Sequence, residues 1–502
     1  MKNKYLYILP VFLMLFASCN DLLDIDPTSQ YSTDTFWSGS DEQYAAALVG
    51  VYNSLMSNYL YFNGELEQAT PNEISYNSAN GTREIALGTA LSTSSMFSSC
   101  WANSYKGIGR ANTFLDYIDD ADITDEDTKN QMKGEALFIR ALLYSYLVDY
   151  FGDVPLILEA PASEQETWPR TAKDEVVEQI LSDLDDAASL LPTSYSSSSD
   201  IGRATQGAAL ALKARVLLYN ERWAEAATAA KTVIDLGVYD LFPDYRGFYL
   251  PDNENNEEVI FDVQYQSPDF LHRRDYECYN LNRWAPLKNL VDLYEMTDGK
   301  SIDESELYDP ENPYENRDPR LHQTIAIVGY PYNGKTATSS LLYESGYGLK
   351  KLTVYTDDET QTISDNNSDL NYIVLRYGEV LLTYAEALNE SLSAPNSEVY
   401  WAINTIRGRE TVEMPELEAG LTKEEMREAI HLERRIELVG EGQFYSDFRR
   451  WGTAEELNNG PVYNYLGEVI ETRSFNPDRD YLFAVPSSEI DENENLTQNP
   501  GW

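Results

Sequence analysis

Apolar residues recur at three- and four-residue spacing through several successive segments, and this periodicity constrains the fold more than any other feature. Lys133 to Phe151 carries Leu137, Phe138, Ala141, Leu142, Tyr144, Leu147 and Val148. It is apolar on more than one side, so it reads as a buried helix that stops at Gly152, with Pro155 beyond. Thr171 to Leu191 opens with a threonine cap and an acidic first turn and ends at Pro192. Gln206 to Tyr219 and Trp223 to Leu236 make a pair across a short turn, the second with Trp223, Ala226, Ala227, Ala230, Val233 and Ile234 on one face. Tyr377 to Asn389, Ser397 to Arg407 and Thr422 to Val439 are further helices. The fold class expected is mostly α: tetratricopeptide-like helical pairs forming one face, with long irregular loops and a few short strands over the other.

Between the helices lie Asn-, Gly-, Ser- and Tyr-rich stretches at about 58–100, 240–285 and 300–370. Short strands are predicted there over Glu258–Gln264 and Thr324–Val328. Long loops on a rigid scaffold usually carry function. The scaffold is accordingly placed at roughly 41–57, 101–237 and 372–440, and the ligand-facing segments at roughly 58–100 and 240–370.

The N-terminus has its own logic. Lys2 and Lys4 precede an apolar run from Tyr5 to Ala17, then Ser18-Cys19. A basic start, a short apolar run and small residues read as a secretory signal, here 1–18, and the run is too short to span a bilayer. Cys19 just after the small residues points to a lipidated mature N-terminus. An ordinary signal peptide and an uncleaved anchor are the alternatives.

Composition excludes some functions. The formal net charge is −47, from 84 acidic and 37 basic residues. Nucleic acid is not an expected partner, because duplex binding rests on Lys and Arg neutralising phosphates. Beyond Cys19 only Cys100 and Cys278 remain, which reads as two buried thiols rather than a disulfide framework.

Several apparent motifs have plainer readings. Gly329-Tyr-Pro-Tyr-Asn-Gly-Lys-Thr336 fits the phosphate-cradling pattern, but Pro331 lacks an N–H and the tyrosines crowd the backbone. It reads as a tight surface turn. His272, His322 and His431 are dispersed without zinc-ligand spacing, and no cofactor is implied. Arg434, Arg435, Glu437, Glu441, Asp447, Arg449 and Arg450 look like a reactive cluster but read as ion pairs tying the last helix to the core. Asp365, Asn366, Asn367, Ser368 and Asp369 offer oxygens for calcium but lack the EF-hand spacing, and read as a polar loop.

The order of segments is similar to one family. The pieces are DLLDIDPTSQYSTDTFW at 21–37, DEQYAAALVGVYNSL at 41–55, WANSYKGIGRANTFLD at 101–116 and EALFIRALLYSYLVDYFGDVPLI at 135–157. RDPRL follows at 317–321, YIVLRYGEVLLTYAEALNE at 372–390, INTIRGR at 403–409, ERRIELVGEG at 433–442 and DFRRW at 447–451. The chain closes on YLFAVPSSEIDENENLTQNPGW. In this order they resemble the SusD-like (RagB/SusD) surface lipoproteins of Bacteroidetes. Asn20-Asp21 and Asp24 resemble the acidic tether of lipoproteins on the outer face of the outer membrane. Gln443 departs from the pattern, and 58–100 and 330–370 match nothing in it.

The resemblance implies one α-rich domain over 19–502 with four tetratricopeptide-like units. It implies a SusC-type TonB-dependent outer-membrane transporter as partner, on which the lipoprotein sits as a hinged lid. It implies non-catalytic capture of a glycan at the cell surface. A peptide ligand on the same architecture is one alternative, and a surface glycoside hydrolase is another.

Sugar rings stack on aromatic faces, and their hydroxyls need polar partners at the ring edge. Rings at helical spacing (Tyr144, Tyr219, Tyr384, Trp101) are expected in the core. Rings in irregular polar segments have less reason to be buried. The candidate ligand-binding residues are Asn72, Tyr76, Asn77 and Arg83, then Tyr276 and Trp284, then Tyr343 and Tyr347.

Overall fold

The computed structural model describes residues 36–37, 40–56, 64–74, 81–160 and 167–502. Cys19 with its signal, Tyr76 and Asn77 lie outside the described residues.

The scaffold is a succession of antiparallel helices. They are α1 (Asp41–Tyr52), α2 (Ser95–Ile118), α3 (Glu126–Phe151), α4 (Lys173–Leu190), α5 (Gln206–Tyr219) and α6 (Trp223–Asp235). After a long insertion come α7 (Tyr377–Ser391), α8 (Ser397–Arg407), α9 (Lys423–Glu437) and α10 (Phe444–Arg450). Each helix from α1 to α7 packs on the next, and α8 and α9 both pack on α7. The mostly α, tetratricopeptide-like class read from periodicity is what the chain adopts.

Local chemistry sets the helix starts. Thr205 Oγ1 accepts from Ala208 N to open α5, and Asn396 Oδ1 accepts from Glu398 N and Val399 N to open α8. Thr422 and Glu425 form a reciprocal box at the start of α9. Ion pairs then staple buried helix faces. Arg140 on α3 holds Asp183 on α4 at 2.7 Å, and Arg215 on α5 holds Glu379 on α7 at 2.5 Å while donating to Val374 O. One apolar core runs through the series from Tyr44 to Leu496, and it takes in Trp101, Tyr144, Tyr384 and Cys100. Cys100 and Cys278 are both buried free thiols.

The segment from 236 to 376 is an insertion between two helices that touch each other, α6 and α7. It leaves and rejoins the scaffold through one antiparallel ladder. Among the described residues the strands form five two-stranded sheets. Three lie within the insertion: β2 (Val259–Val263) with β8 (Tyr372–Arg376), β4 (Ile325–Ile327) with β7 (Tyr347–Leu349), and β5 (Pro331–Tyr332) with β6 (Lys335–Thr336). β1 (Glu73–Ile74) pairs with β3 (Ala285–Pro286) and ties the insertion to the chain before α2, and β9 (Gly460–Tyr463) pairs with β10 (Val469–Arg473) after α10. The two strands expected at 258–264 and 324–328 are β2 and β4. The β5–β6 hairpin occupies the phosphate-loop look-alike. Its Asn333-Gly334 turn has φ of 53° and 66°, the geometry that matches the twist of a two-residue hairpin.

The insertion has a core of its own. Phe248, Trp284, Tyr294, Leu321, Ile325, Tyr347 and Leu349 gather around Ile436, at the end of α9, and Val439, in the turn after it. "Irregular" therefore does not mean "exposed" here.

Candidate ligand-binding face

The insertion is held to the scaffold by a buried ionic frame. Arg376, at the end of β8, contacts Glu258 at 2.8 Å, Glu437 at 2.9 Å and Glu441 at 2.7 Å. Arg409 contacts Glu258 at 2.6 Å and Glu437 at 3.0 Å. Arg320 contacts Asp318, Glu433 and Glu437, and Lys351 contacts Glu441. Burial alone would raise the Glu437 and Glu441 carboxyls, but the cations around them prevail and hold both at about 2. The remaining residues of that expected set behave alike. Arg434 pairs with Asp447, Arg450 with Glu386 and Asp447, and Arg449 with Asp149. Arg435 is the exception. It donates to Asn72 Oδ1 at 2.7 Å and lies 4.4 Å from the Phe444 ring, and burial lowers its guanidinium to about 10.

Three of the candidate residues are interior. Trp284 is 1% exposed, and a Cβ built on Gly64 would lie 2.7 Å from its Cη2, so backbone roofs the indole. Tyr347 is also buried, its hydroxyl 3.0 Å from that of Tyr314. Asn72 is buried, with its carbonyl accepting from Leu287 N and its side chain from Arg435. The expectation that these three face a ligand is corrected: Trp284 and Tyr347 fill the insertion core, and Asn72 joins β1 to it. Arg83 is half-exposed and anchored to Glu471 on β10 at 2.7 Å.

Tyr276 and Tyr343 remain accessible. Tyr276 sits half-buried on a short helix, Arg274–Tyr279, that touches β7. Tyr343 is 41% exposed and holds a left-handed φ of 50° in the loop leading into β7. A non-glycine residue there costs energy, so the neighbourhood must hold it. Asn282 Nδ2 donates to Leu342 O and Tyr347 O, and Tyr465 N donates to Ser345 O. These bonds hold the backbone on either side of Tyr343.

Sequence reasoning missed two further half-exposed rings of the insertion. Tyr314 and Tyr330 are half-exposed, edge to face at 5.8 Å, and Tyr314 packs on Tyr347. Tyr330 O–H donates to Glu315 at 3.0 Å, and His322 lies 4.9 Å from its ring. The signal for Tyr330 lay inside the phosphate-loop look-alike, which had been read only as a turn. The polar loop after Ile363 is tied to the start of the short helix Arg274–Tyr279: Arg273 pairs with Asp365, and Ser368 donates to Asp275.

Beneath the face lies a buried carboxylate pair. Burial raises Glu67 to about 7, although its Oε2 accepts from Gly440 N and Gly442 N. Glu73 is raised well above the usual range by burial and by Glu67.

The comparisons with known proteins agree with this architecture. The model of the SusD family matches residues 250–502, and a model described as "Starch-binding associating with outer membrane" matches 21–218. A SusD-like protein of Formosa agariphila is 28% identical over the whole of both chains. The crystal structure of a SusD-like protein from Bacteroides fragilis superposes with a TM-score of 0.82 at 28% identity, covering 95% of this chain and all of that one. A SusD-like carbohydrate-binding protein from the same species gives 0.82 at 27% identity, over 92% of this chain and all of that one. With a family model covering residues 250–502, most of the insertion and everything after it, on a helical scaffold of the same shape, the chain belongs to the SusD family.

Proposed function

We propose that the protein is a cell-surface lipoprotein that captures a glycan without turning it over. In this reading it delivers the glycan to a SusC-type TonB-dependent transporter in the outer membrane. The observation that carries the reading is the group of half-exposed tyrosines, Tyr276, Tyr314, Tyr330 and Tyr343, standing on the insertion's buried core in a chain of this family. Flat apolar rings with hydroxyls at the rim suit sugar C–H faces and their edges. The family description, starch-binding and associated with the outer membrane, supports the ligand class and the location. Arg83, with Tyr76 and Asn77 near it in sequence, belongs to the proposed face.

Tyr343→Ala and Tyr276→Ala should each weaken binding of the cognate glycan by about 1–3 kcal/mol, by analogy with ring stacking on bases. Both substitutions should leave the urea midpoint unchanged, since neither ring is a core element. Calorimetric titration is the measurement, and wild-type affinity in both variants would place the site elsewhere. The transporter is tested by co-purification from mild detergent. Recovery of the protein as a solitary monomer speaks against the partnership.

The anchor is tested separately. Cys19→Ala should move the protein from the detergent phase to the aqueous phase in a partition assay. Retention of the variant in membranes of a strain lacking the transporter would refute lipidation at Cys19.

A further inference from the structure

A strap of chain, residues 64–74, closes over the insertion core. At one end the Gly64 backbone roofs the Trp284 indole. At the other, β1 pairs with β3, and Leu287 N donates to Asn72 O at 2.9 Å. Between these ends Glu67 fastens the strap to the turn after α9. Its Oε2 accepts from Gly440 N at 2.8 Å and from Gly442 N at 3.3 Å.

The strap carries two carboxyl groups buried without the partners that a charged carboxylate needs. Glu67 and Glu73 are both fully buried. Glu67 Oε1 and both side-chain oxygens of Glu73 have no hydrogen-bond partner among the described residues. The charged groups around them are engaged with other atoms. Lys351, facing Glu67, pairs with Glu441 at 2.5 Å. Arg435 on α9 donates to Asn72 Oδ1 and lies against the Phe444 ring. Arg274, facing Glu73, lies over the Trp284 and Tyr372 rings, 5.3 Å and 4.4 Å from their centres. Arg473 on β10 donates to the carbonyls of Gln68 and Glu73 and lies 3.4 Å from Glu471, which also pairs with Arg83. The Cys278 thiol, near Glu73, is itself pushed up by burial. A carboxyl group in such surroundings holds its proton rather than bear an unpaired charge, and a second one beside it reinforces the preference.

We propose that the strap is proton-locked: protonated Glu67 and Glu73 hold it over Trp284, and loss of their protons releases it. Released into water, both groups titrate at about 4.3. Docked, Glu67 is raised to about 7 and Glu73 well above its ordinary range. The docked strap therefore binds more protons than the released one at any pH above about 4.3, and docking weakens as the pH rises. The loss due to Glu67 accrues up to about pH 7 and then levels off, while the loss due to Glu73 continues beyond.

The test follows amide exchange at residues 64–74 of the full chain between about pH 5 and pH 7. Each rate is divided by that of an unstructured peptide of the same sequence at the same pH. The corrected rates should rise about tenfold to a hundredfold per pH unit, for one or two protons released at each opening. Amides of α3 should show no such rise, which separates opening of the strap from loosening of the whole fold. Acrylamide quenching should grow over the same interval in wild type, and the growth should vanish in Trp284→Phe. Glu67→Gln and Glu73→Gln keep the side-chain shape and cannot ionise. Each should take about tenfold per pH unit off the rise, and the double variant should abolish it. Corrected rates that stay flat across this interval in wild type would overturn the proposal without recourse to any variant. So would an equal rise in α3, or a double variant that keeps the wild-type slope.

Discussion

Trp284→Ala should destabilise the protein by about 3–5 kcal/mol, the usual cost of deleting a large aromatic side chain from a packed interior. The indole is enclosed by the Gly64 backbone on one side and stacks with the Arg274 guanidinium 5.3 Å away. Its own carbonyl accepts from Leu349 N, so the residue also joins β3 to β7. Among the described residues, the Gly64 backbone and Leu349 in its ladder are neighbours that cannot easily collapse into the space. The urea midpoint should therefore drop steeply at an unchanged slope. Trp284→Phe should lose much less, since it keeps most of the ring and removes an indole N–H that has no acceptor among the described residues. A Trp284→Ala protein with wild-type stability and lost glycan binding would return the ring to the ligand face. The comparison with Tyr343→Ala is informative, because that ring is expected to affect affinity and not stability.

The helical scaffold was legible because its signal is local. A helix buries one face against the next, so i, i+3, i+4 spacing survives in the sequence whatever the helix packs on. α5 and α6 were readable for that reason, and so was the tight turn within 329–336, although the sequence reading did not name the Asn333-Gly334 hairpin that makes it. The face was only partly legible because exposure in the insertion is decided at long range. Trp284 and Tyr347 sit in irregular, polar sequence, and they are buried because Ile436 and Val439 arrive from α9 and the turn after it to complete a core there. No pattern within 240–370 carries that information. Tyr330 was missed for the converse reason: a motif read as a mere turn still leaves a ring half-exposed, and Tyr314 is placed by packing on Tyr330 and Tyr347. The ionic cluster on α9 was readable as ion pairs from its composition. Its partners Glu258, Arg376 and Arg409 lie on other elements and could be found only in three dimensions.

Glu437→Ala should be as damaging as the loss of Trp284, for a different physical reason. Glu437 accepts from Arg320, Arg376 and Arg409 at once, at 2.9–3.0 Å, and all four side chains are buried. Removing it leaves three desolvated guanidinium groups sharing fewer carboxylates, a change that typically costs about 3–5 kcal/mol. Such a frame adds little net stability over apolar packing of the same volume. Its contribution is specificity: Arg320 and Arg376 come from the insertion, Arg409 from the turn after α8, and Glu437 from α9. Only one docking of the insertion on α9 satisfies them all, and that docking carries Tyr276, Tyr314, Tyr330 and Tyr343. The acid limb provides the check. Glu437 and Glu441 are held at about 2, below the usual glutamate value of about 4.3, so the folded state binds fewer protons than the unfolded one in that interval. Their contribution to stability is complete above about pH 4.3 and is lost as the pH falls through about 2. Chemical denaturation followed from pH 7 down to pH 2 should show wild type losing stability over this window. Glu437→Ala should start lower and fall less steeply, because one of the two carboxylates that drive the slope is gone. A Glu437→Ala protein that matches wild type at pH 7 and keeps the full acid slope would mean that the frame tolerates its loss, and that some other contact fixes the insertion on α9.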